Sequence, residues 1–239
     1  DWWTTLNDPE LSRLIERAAA GNRDVKRAAA RIREARARRG LSKAGLYPTL
    51  DASGSAARSR GSADMGPVAT TDLFSAGLDA SWEMDLFGGV RRSVEAAEAE
   101  LQVAGEDLRD IRVSLLAEVA LNYVDLRTAQ ARLAVTETSL KSLEESLRLT
   151  QWRAQAGLGD ELAVEQARYS LESARSQIPS LLTAIAEAQN RLAVLAGETP
   201  GAVHAELSQP EPIPSLPLEV AIGVPADLLR QRPDVRRAE

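Results

Sequence analysis

The sequence contains no cysteine and one histidine, His204, and only 4% of its 239 residues are aromatic. The missing cysteines exclude disulfides, thiolate metal centres and cysteine nucleophiles, and one histidine cannot supply a histidine metal site. A chain so poor in aromatics also lacks the residues that usually dominate a globular core. No apolar run reaches the roughly 18 residues of a membrane-spanning helix. An enzyme would have only aspartate and glutamate to work with, and these are spread over solvated helix faces. The chain therefore reads as a non-enzyme with no cofactor and no metal site.

Alanine, leucine, glutamate and arginine fill the space instead, a composition of long helices and coiled coils. The formal net charge is −6, unevenly spread: between Asn22 and Gly45 there are nine basic residues against only Asp24 and Glu34. Ala28, Ile32 and Ala35 run through this stretch as a helical face, so its arginines read as a solvated surface and not as a nucleic-acid stripe. The chain begins at Asp1 with neither Met nor a signal peptide, which reads as a mature or trimmed sequence.

Asp8 and Pro9 suit a helix start, Gly21 a stop, and Asn22 the cap of a second helix running to Gly40 or Gly45. After Pro48 the period changes from helix to strand. Residues 46–60 alternate weakly, 61–72 read as a loop, and Phe74, Ala76, Leu78, Ala80, Trp82, Met84 and Leu86 then alternate strictly with polar residues. At about 3.3 Å per residue and a 45° tilt, such a run crosses about 30 Å, the thickness of a bilayer's hydrocarbon core. The alternative is one half-buried strand of a soluble α+β domain, but the chain offers no third or fourth strand to complete that sheet. Residues 46–60 and 73–87 are expected to pair antiparallel.

From Val90 to Ala156 there is no proline and only Gly105, which predicts one helix about 100 Å long. Its apolar seam steps by three and four from Val94 through Ala97, Leu101, Leu108, Leu126, Leu133, Leu140 and Leu147 to Ala154. That is the heptad of a left-handed coiled coil, with one stutter at Ile111, Leu115 and Val119. Around the stutter the helix is apolar on most sides, which predicts neighbours on several faces. The turn is expected between Ala154 and Glu161. A return seam runs from Ala163, Ala167, Ser170 and Ala174 to Leu192 and Leu195, and Pro179 should kink it. Prolines 210, 212, 214 and 217 then mark an extended linker. The expected spans are 1–45 (helices), 46–89 (β-hairpin), 90–197 (long hairpin) and 198–239 (proline-rich linker and start of a second repeat). Asp234-Val235-Arg236-Arg237-Ala238 repeats Asp24-Val25-Lys26-Arg27-Ala28, so the chain reads as the first half of a duplicated protein.

Several motifs, in order, resemble the TolC-like outer-membrane factors, especially the lipoprotein branch of multidrug efflux systems. They are Trp2-Trp3 with Leu6-Asn7-Asp8-Pro9, Trp82-Glu83-Met84-Asp85-Leu86-Phe87-Gly88, Arg153 with Gly157-Leu158, Arg191-Leu192-Ala193-Val194-Leu195-Ala196-Gly197, and Val224-Pro225-Ala226-Asp227-Leu228-Leu229 with Arg232-Pro233-Asp234-Val235. The branch usually carries an acylated cysteine before the Trp pair, absent here, and often an Asp ten residues after the turn arginine, where this sequence has Ala163. The resemblance implies a mainly α protein: a long antiparallel coiled-coil hairpin, half of a helical barrel, with a transmembrane β-hairpin. It further implies a homotrimer in the outer membrane of a Gram-negative bacterium, reaching into the periplasm and working passively with a periplasmic adaptor and an inner-membrane pump. Phe74, Leu78, Trp82 and Leu86 would face outer-membrane lipid, and Asp79, Glu83 and Asp85 the pore. The tip, with Arg153, Gly157, Leu158 and Asp160, would meet the adaptor. For each the plain reading stays open: turn glycines, a capping Arg153 or Asp160, ordinary polar strand residues. A periplasmic adaptor, a soluble coiled-coil scaffold and a type I secretion channel are the alternative functions.

Overall fold

The computed structural model describes residues 2–60, 70–215 and 230–239. It is mainly helical with one two-stranded sheet, and it packs as two units, Asp1–Ala29 with Glu106–Glu239, and Ala30–Gly105. The motif at 224–229 and most of the expected loop at 61–72 lie outside the described residues.

The first unit opens with a 3-10 turn, Trp2–Leu6, and helix α1, Pro9–Gly21. Asp8 caps α1 as expected, its carboxylate accepting the N–H groups of Glu10 and Leu11, both at 2.9 Å. Leu11, Leu14, Ile15 and Ala18 form its buried stripe. Asn22 begins helix α2, Arg23–Ala44, by accepting from the N–H groups of Asp24 and Val25. The same side chain donates to the Leu195 carbonyl at 2.9 Å, tying this junction to a distant helix end.

Helix α3, Gly89–Gln155, is unbroken for 67 residues, as the absence of proline predicted. Each of its expected seam positions is buried or half-buried, from Val94 to Ala154. Around the stutter Val119, Ala120, Tyr123, Leu126 and Arg127 are buried on several sides, although Val113 and Leu121 stay exposed. The chain turns at 156–160 and returns as α4, Glu161–Arg175, and α5, Gln177–Leu195. Antiparallel packing of α4 on α3 brings Arg175 to 3.1 Å from Glu144. The break at Ser176 falls just ahead of Pro179, whose ring opposes the Arg175 carbonyl.

Two expectations need correction. The return seam starts on Val164 and Leu171, with Ala163 and Ser170 exposed. A one-residue shift places the larger apolar side chains against α3, and the steps then alternate three and four without a stutter as far as Leu195. Residues 199–207, inside the span given to the proline-rich linker and the start of a second repeat, form turns that bury Val203 and Leu207 completely among Leu11, Leu14, Tyr123 and Leu192. Two apolar residues four apart anchor a segment that lies ahead of the prolines at 210–217. The first unit also contains the short helix α6, Pro233–Ala238, from the repeated motif, with Arg237 paired to Asp107 at 3.0 Å.

In the second unit the later part of α2 lies along the start of α3, and Arg39 reaches both carboxylate oxygens of Glu98 at 2.9 and 3.0 Å. Strands β1, Thr49–Arg60, and β2, Thr70–Ser81, pair antiparallel, with Thr49 opposite Ser81 and Arg60 opposite Thr70. The pairing is the expected one but slides toward the loop: 70–72 are strand, while Trp82, Glu83, Met84, Asp85 and Leu86 lie beyond it.

Glycine is required where α1 meets the end of α5. A Cβ on Gly21 would sit 2.0 Å from the Ala196 carbonyl oxygen, and one on Gly197, at φ +78°, 2.3 Å from the Gly21 carbonyl oxygen. Gly197 also closes α5 as a left-handed cap, with Glu198 N–H on the Ala193 carbonyl and its own N–H on that of Val194. Gly21→Ala and Gly197→Ala should each destabilise the protein by about 3 kcal/mol through backbone overlap. Gly40→Ala, at a helical site with open space around it, should be neutral or stabilising. Denaturant unfolding of the three variants checks the ranking.

Candidate functional site

Three places carry polar or exposed groups that helix packing does not consume. The first is the β-hairpin, exposed at every residue of both strands. Its register puts Leu50, Ala52, Gly54 and Ala56 on one face with Ala80, Leu78, Ala76 and Phe74, and Thr49, Asp51, Ser53 and Ser55 on the other with Ser81, Asp79, Gly77 and Ser75. Phe74 and Leu78 are 77% and 76% exposed. Asp79 lies directly opposite Asp51, a like-charge pair that only free access to water makes tolerable.

Of the expected lipid-facing residues, Phe74 and Leu78 share the apolar face, whereas Trp82 and Leu86 have left the strand. The Trp82 indole donates to the Leu46 carbonyl at 3.3 Å. Of the expected pore residues, Asp79 is on the polar strand face and Glu83 is beyond it. Asp85 starts α3 instead, accepting the Arg91 N–H at 2.9 Å. That N–H above all, helped by those of Val90 and Gly88, holds its carboxyl below the usual range. The helix start consumes this carboxylate, so strict alternation through residue 86 was misleading.

The second place is the hairpin tip. Leu158 N–H bonds to the Arg153 carbonyl at 2.8 Å and Gly157 N–H to that of Ala154 at 3.0 Å, with Gly157 at φ +74°. This pattern closes α3, and it usually tucks the residue after the glycine against the helix. Leu158 instead stays 79% exposed. Asp160 caps α4 through the Ala163 N–H at 2.8 Å, and Arg153 is exposed with no ion pair among the described residues. The four residues named from sequence are thus neighbours on one turn, two of them shaping it and two projecting.

The third place escaped the sequence reading altogether. Arg127 is 1% exposed and is the hub of a polar network inside the first unit. Its guanidinium donates to the Gln209 carbonyl at 2.7 Å, Glu211 at 2.8 Å, Gln130 at 3.0 Å and the Tyr123 hydroxyl at 3.1 Å. Burial, above all, raises the Tyr123 phenol, which stays protonated and donates to the helix-capping Asp8 at 2.8 Å. Gln130 and Gln189 both donate to the Leu207 carbonyl. A charged residue one place past the seam leucine Leu126 gives no sign of burial in sequence. What could have flagged it is that the helix around it is apolar on most sides.

Nearby, Glu10 is 7% exposed and its Oε1 has no donor. The Glu206 carboxylate lies within hydrogen-bonding reach, and burial first, then Glu206, raises the Glu10 carboxyl above its usual range against the pull of Arg13. Glu206 moves the other way: despite desolvation, hydrogen bonds from Arg17, at 2.6 Å, and from Glu10 hold it low. A proton on Glu10 donated to Glu206 satisfies both groups. No group of three or more His, Cys, Asp or Glu residues able to hold a metal occurs among the described residues.

A helical hairpin of this length, joined to an exposed β-hairpin with one apolar face, defines the class of the protein as helical-hairpin with an appended strand pair. Residues 14–198 match the family described as "Outer membrane efflux protein", and the chain belongs to that family. It is 34% identical over 239 residues to nodulation protein T of Rhizobium leguminosarum bv. trifolii, covering 100% of this chain and 51% of that protein. It is 35% identical over 243 residues to the probable efflux pump outer membrane protein TtgC of Pseudomonas putida, covering 100% of this chain and 50% of that one. The solved outer-membrane channel OprN superposes with a TM-score of 0.88 at 36% identity, covering 99% of this chain and 54% of OprN. The chain spans about half the length of the curated relatives it matches, in line with the reading of an N-terminal half.

The paired carboxyls, shifted in opposite directions, should give the first unit a pH optimum. Glu10, raised when folded, adds stability as pH falls through its folded pKa, because the native state takes up the proton first. Glu206, lowered when folded, adds stability above the usual carboxylate range and loses it as pH falls through its own folded pKa. Thermal melts between about pH 4 and 8 should therefore peak on the mildly acidic side. Glu10→Gln, which keeps a donor toward Glu206, should remove the decline toward neutral pH. A variant that still declines with the wild-type slope would refute proton sharing.

Proposed function

We propose that the chain is the N-terminal half of a subunit of a passive outer-membrane channel in a tripartite efflux system. In this reading β1 and β2 are two strands of a membrane barrel, and α3 with α4 and α5 is a strip of a helical barrel reaching into the periplasm. Three copies close the pore in the outer membrane of a Gram-negative bacterium, and an inner-membrane pump, joined through a periplasmic adaptor, supplies the energy. The observation that carries the reading is the hairpin: two strands, exposed throughout, with one face apolar over the four rungs from Leu50 and Ala80 to Ala56 and Phe74. A lone strand pair is marginal in water, and such a face needs covering. Lipid on one side, water in a lumen on the other, and neighbouring strands at both edges meet those needs together. The lumen side then carries Asp51, Asp79, Ser53 and Ser75, and its carboxylates favour cations near the pore wall.

The adaptor contact falls on the turn between α3 and α4. Gly157 sets the turn, Leu158 projects from it as an apolar anchor, and Arg153 and Asp160 flank it. A tip of this size buries little area, so one well-packed apolar residue outweighs screened surface charges.

Two measurements on the full-length protein test these assignments. Spin labels at residues 78 and 79 in bilayers should report lipid at 78 and water at 79, and the reverse would overturn the strand orientation. Leu158→Ser should reduce adaptor crosslinking and drug resistance at least about tenfold with trimer and insertion intact. Unchanged crosslinking would leave this turn a turn and nothing more.

A further inference from the structure

The apolar face of the β-hairpin changes character abruptly toward the loop. After the rungs Ala52 with Leu78, Gly54 with Ala76 and Ala56 with Phe74, the same face continues with Arg58 opposite Asp72 and Arg60 opposite Thr70. The polar face changes in the opposite sense at one rung, Ala57 opposite Leu73, before ending on Ser59 opposite Thr71. Polarity is thus exchanged between the faces at the rungs 57–73 and 58–72, and the last rungs are polar on both faces. Two arginines added only for solubility would extend the face that is already polar, leaving the apolar face to Ala57 and Leu73.

Their geometry is directional as well. Arg58 Nε and Nη2 donate to the two oxygens of Asp72 at 2.5 and 2.8 Å, a fork that fixes the guanidinium across the strands and leaves Nη1 without a partner among the described residues. Arg60 is exposed and has no hydrogen bond or ion pair among the described residues. The far end of the hairpin is aromatic, with exposed Tyr47 and Trp82. Aromatic girdles normally mark both edges of the lipid-facing band of a barrel. Here one edge has arginine where the other has tryptophan.

We propose that the Arg58–Arg60 edge binds the phosphate groups of the outer-leaflet glycolipid, the phosphorylated disaccharide of lipid A. This rests on the reading of the hairpin as lipid-facing, with its loop outward because the helices at its other end are periplasmic. At that depth a cation costs little on the lipid face and is attracted by anionic headgroups. Asp72 holds Arg58 in place, and Arg60 reaches further out, so a phosphate bridges the two guanidinium groups. Closing the trimer repeats the edge three times around the barrel.

The test uses the full-length trimer in phosphatidylcholine nanodiscs containing lipid A, lipid A stripped of its phosphates, or phosphatidylglycerol, with retained lipid counted by native mass spectrometry. Arg60→Gln should lower retention of phosphorylated lipid A about fivefold, and Arg58→Gln with Arg60→Gln about twentyfold. Arg60→Lys should restore part of it, and the stripped lipid should be retained weakly and equally by every variant. The Arg60 side chain has no hydrogen bond or ion pair among the described residues, so its single variant tests the proposal even where the double variant fails to insert. Equal retention of phosphorylated lipid A by wild type and Arg60→Gln would overturn the proposal, as would equal retention of phosphatidylglycerol and lipid A by the wild type. The spin label at residue 78 separates the two levels of failure. Lipid contact there with no arginine effect overturns the headgroup site alone, whereas water contact there overturns the site together with the lipid-facing reading.

Discussion

A helix of 67 residues without proline survives only if one stripe of it is covered along its whole length. Intrinsic helix stability is marginal, and most of it in proteins comes from tertiary packing of an apolar face. Here that stripe is the seam from Val94 to Ala154, buried or half-buried at each step. Return helices α4 and α5 cover one stretch of it and α1 joins them at the stutter, where the core of Leu11, Leu14, Tyr123 and Leu192 forms. Elsewhere the hairpin is two helices thick, and that thinness is why so many large apolar side chains remain exposed on it.

At the stutter the packing turns from a seam into a small globular core, and polar groups enter it. Removing Arg127 from water is tolerable because its two Nη groups meet two carbonyl or carboxamide oxygens, a hydroxyl and a carboxylate, leaving only the buried Nε–H without a partner. The same bonds tie α3 to the turn segment after α5, while Tyr123 and Asp8 tie it to the start of α1. The close glycine contact at positions 21 and 197 closes the third side. Cap, hub and glycine pair all serve one end: they hold α1 and residues 199–211 on the hairpin at the point where the heptad slips.

What the packing leaves unsatisfied is as informative as what it satisfies. The β-hairpin and the hairpin tip are both built from well-formed local geometry, a complete ladder in one case and a closed helix terminus in the other. Both present apolar side chains that nothing among the described residues covers. Family membership and the match to solved channels agree with that incompleteness, since the chain covers about half of the relatives' length.

Periodicity, together with capping and helix-breaking residues, determined most of the secondary structure of this protein, because a repeat of three and four or of two records directly which side of a helix or strand is covered. The unbroken α3, the turn at 156–160, the antiparallel strand pair and the cap at Asp8 were all legible in that way. The family motifs named the tip residues too. Tertiary structure decided the rest. The return seam moved by one residue because Val164 and Leu171 bury more than Ala163 and Ser170. Asp85 left the strand because the first N–H groups of α3 needed an acceptor. Val203 and Leu207 turned an apparent linker into core, and Arg127 went inside because its partners, from Asp8 to Glu211, are brought together only by folding. A sequence records what each residue prefers; which distant groups will be there to satisfy it is settled only when the chain has closed on itself.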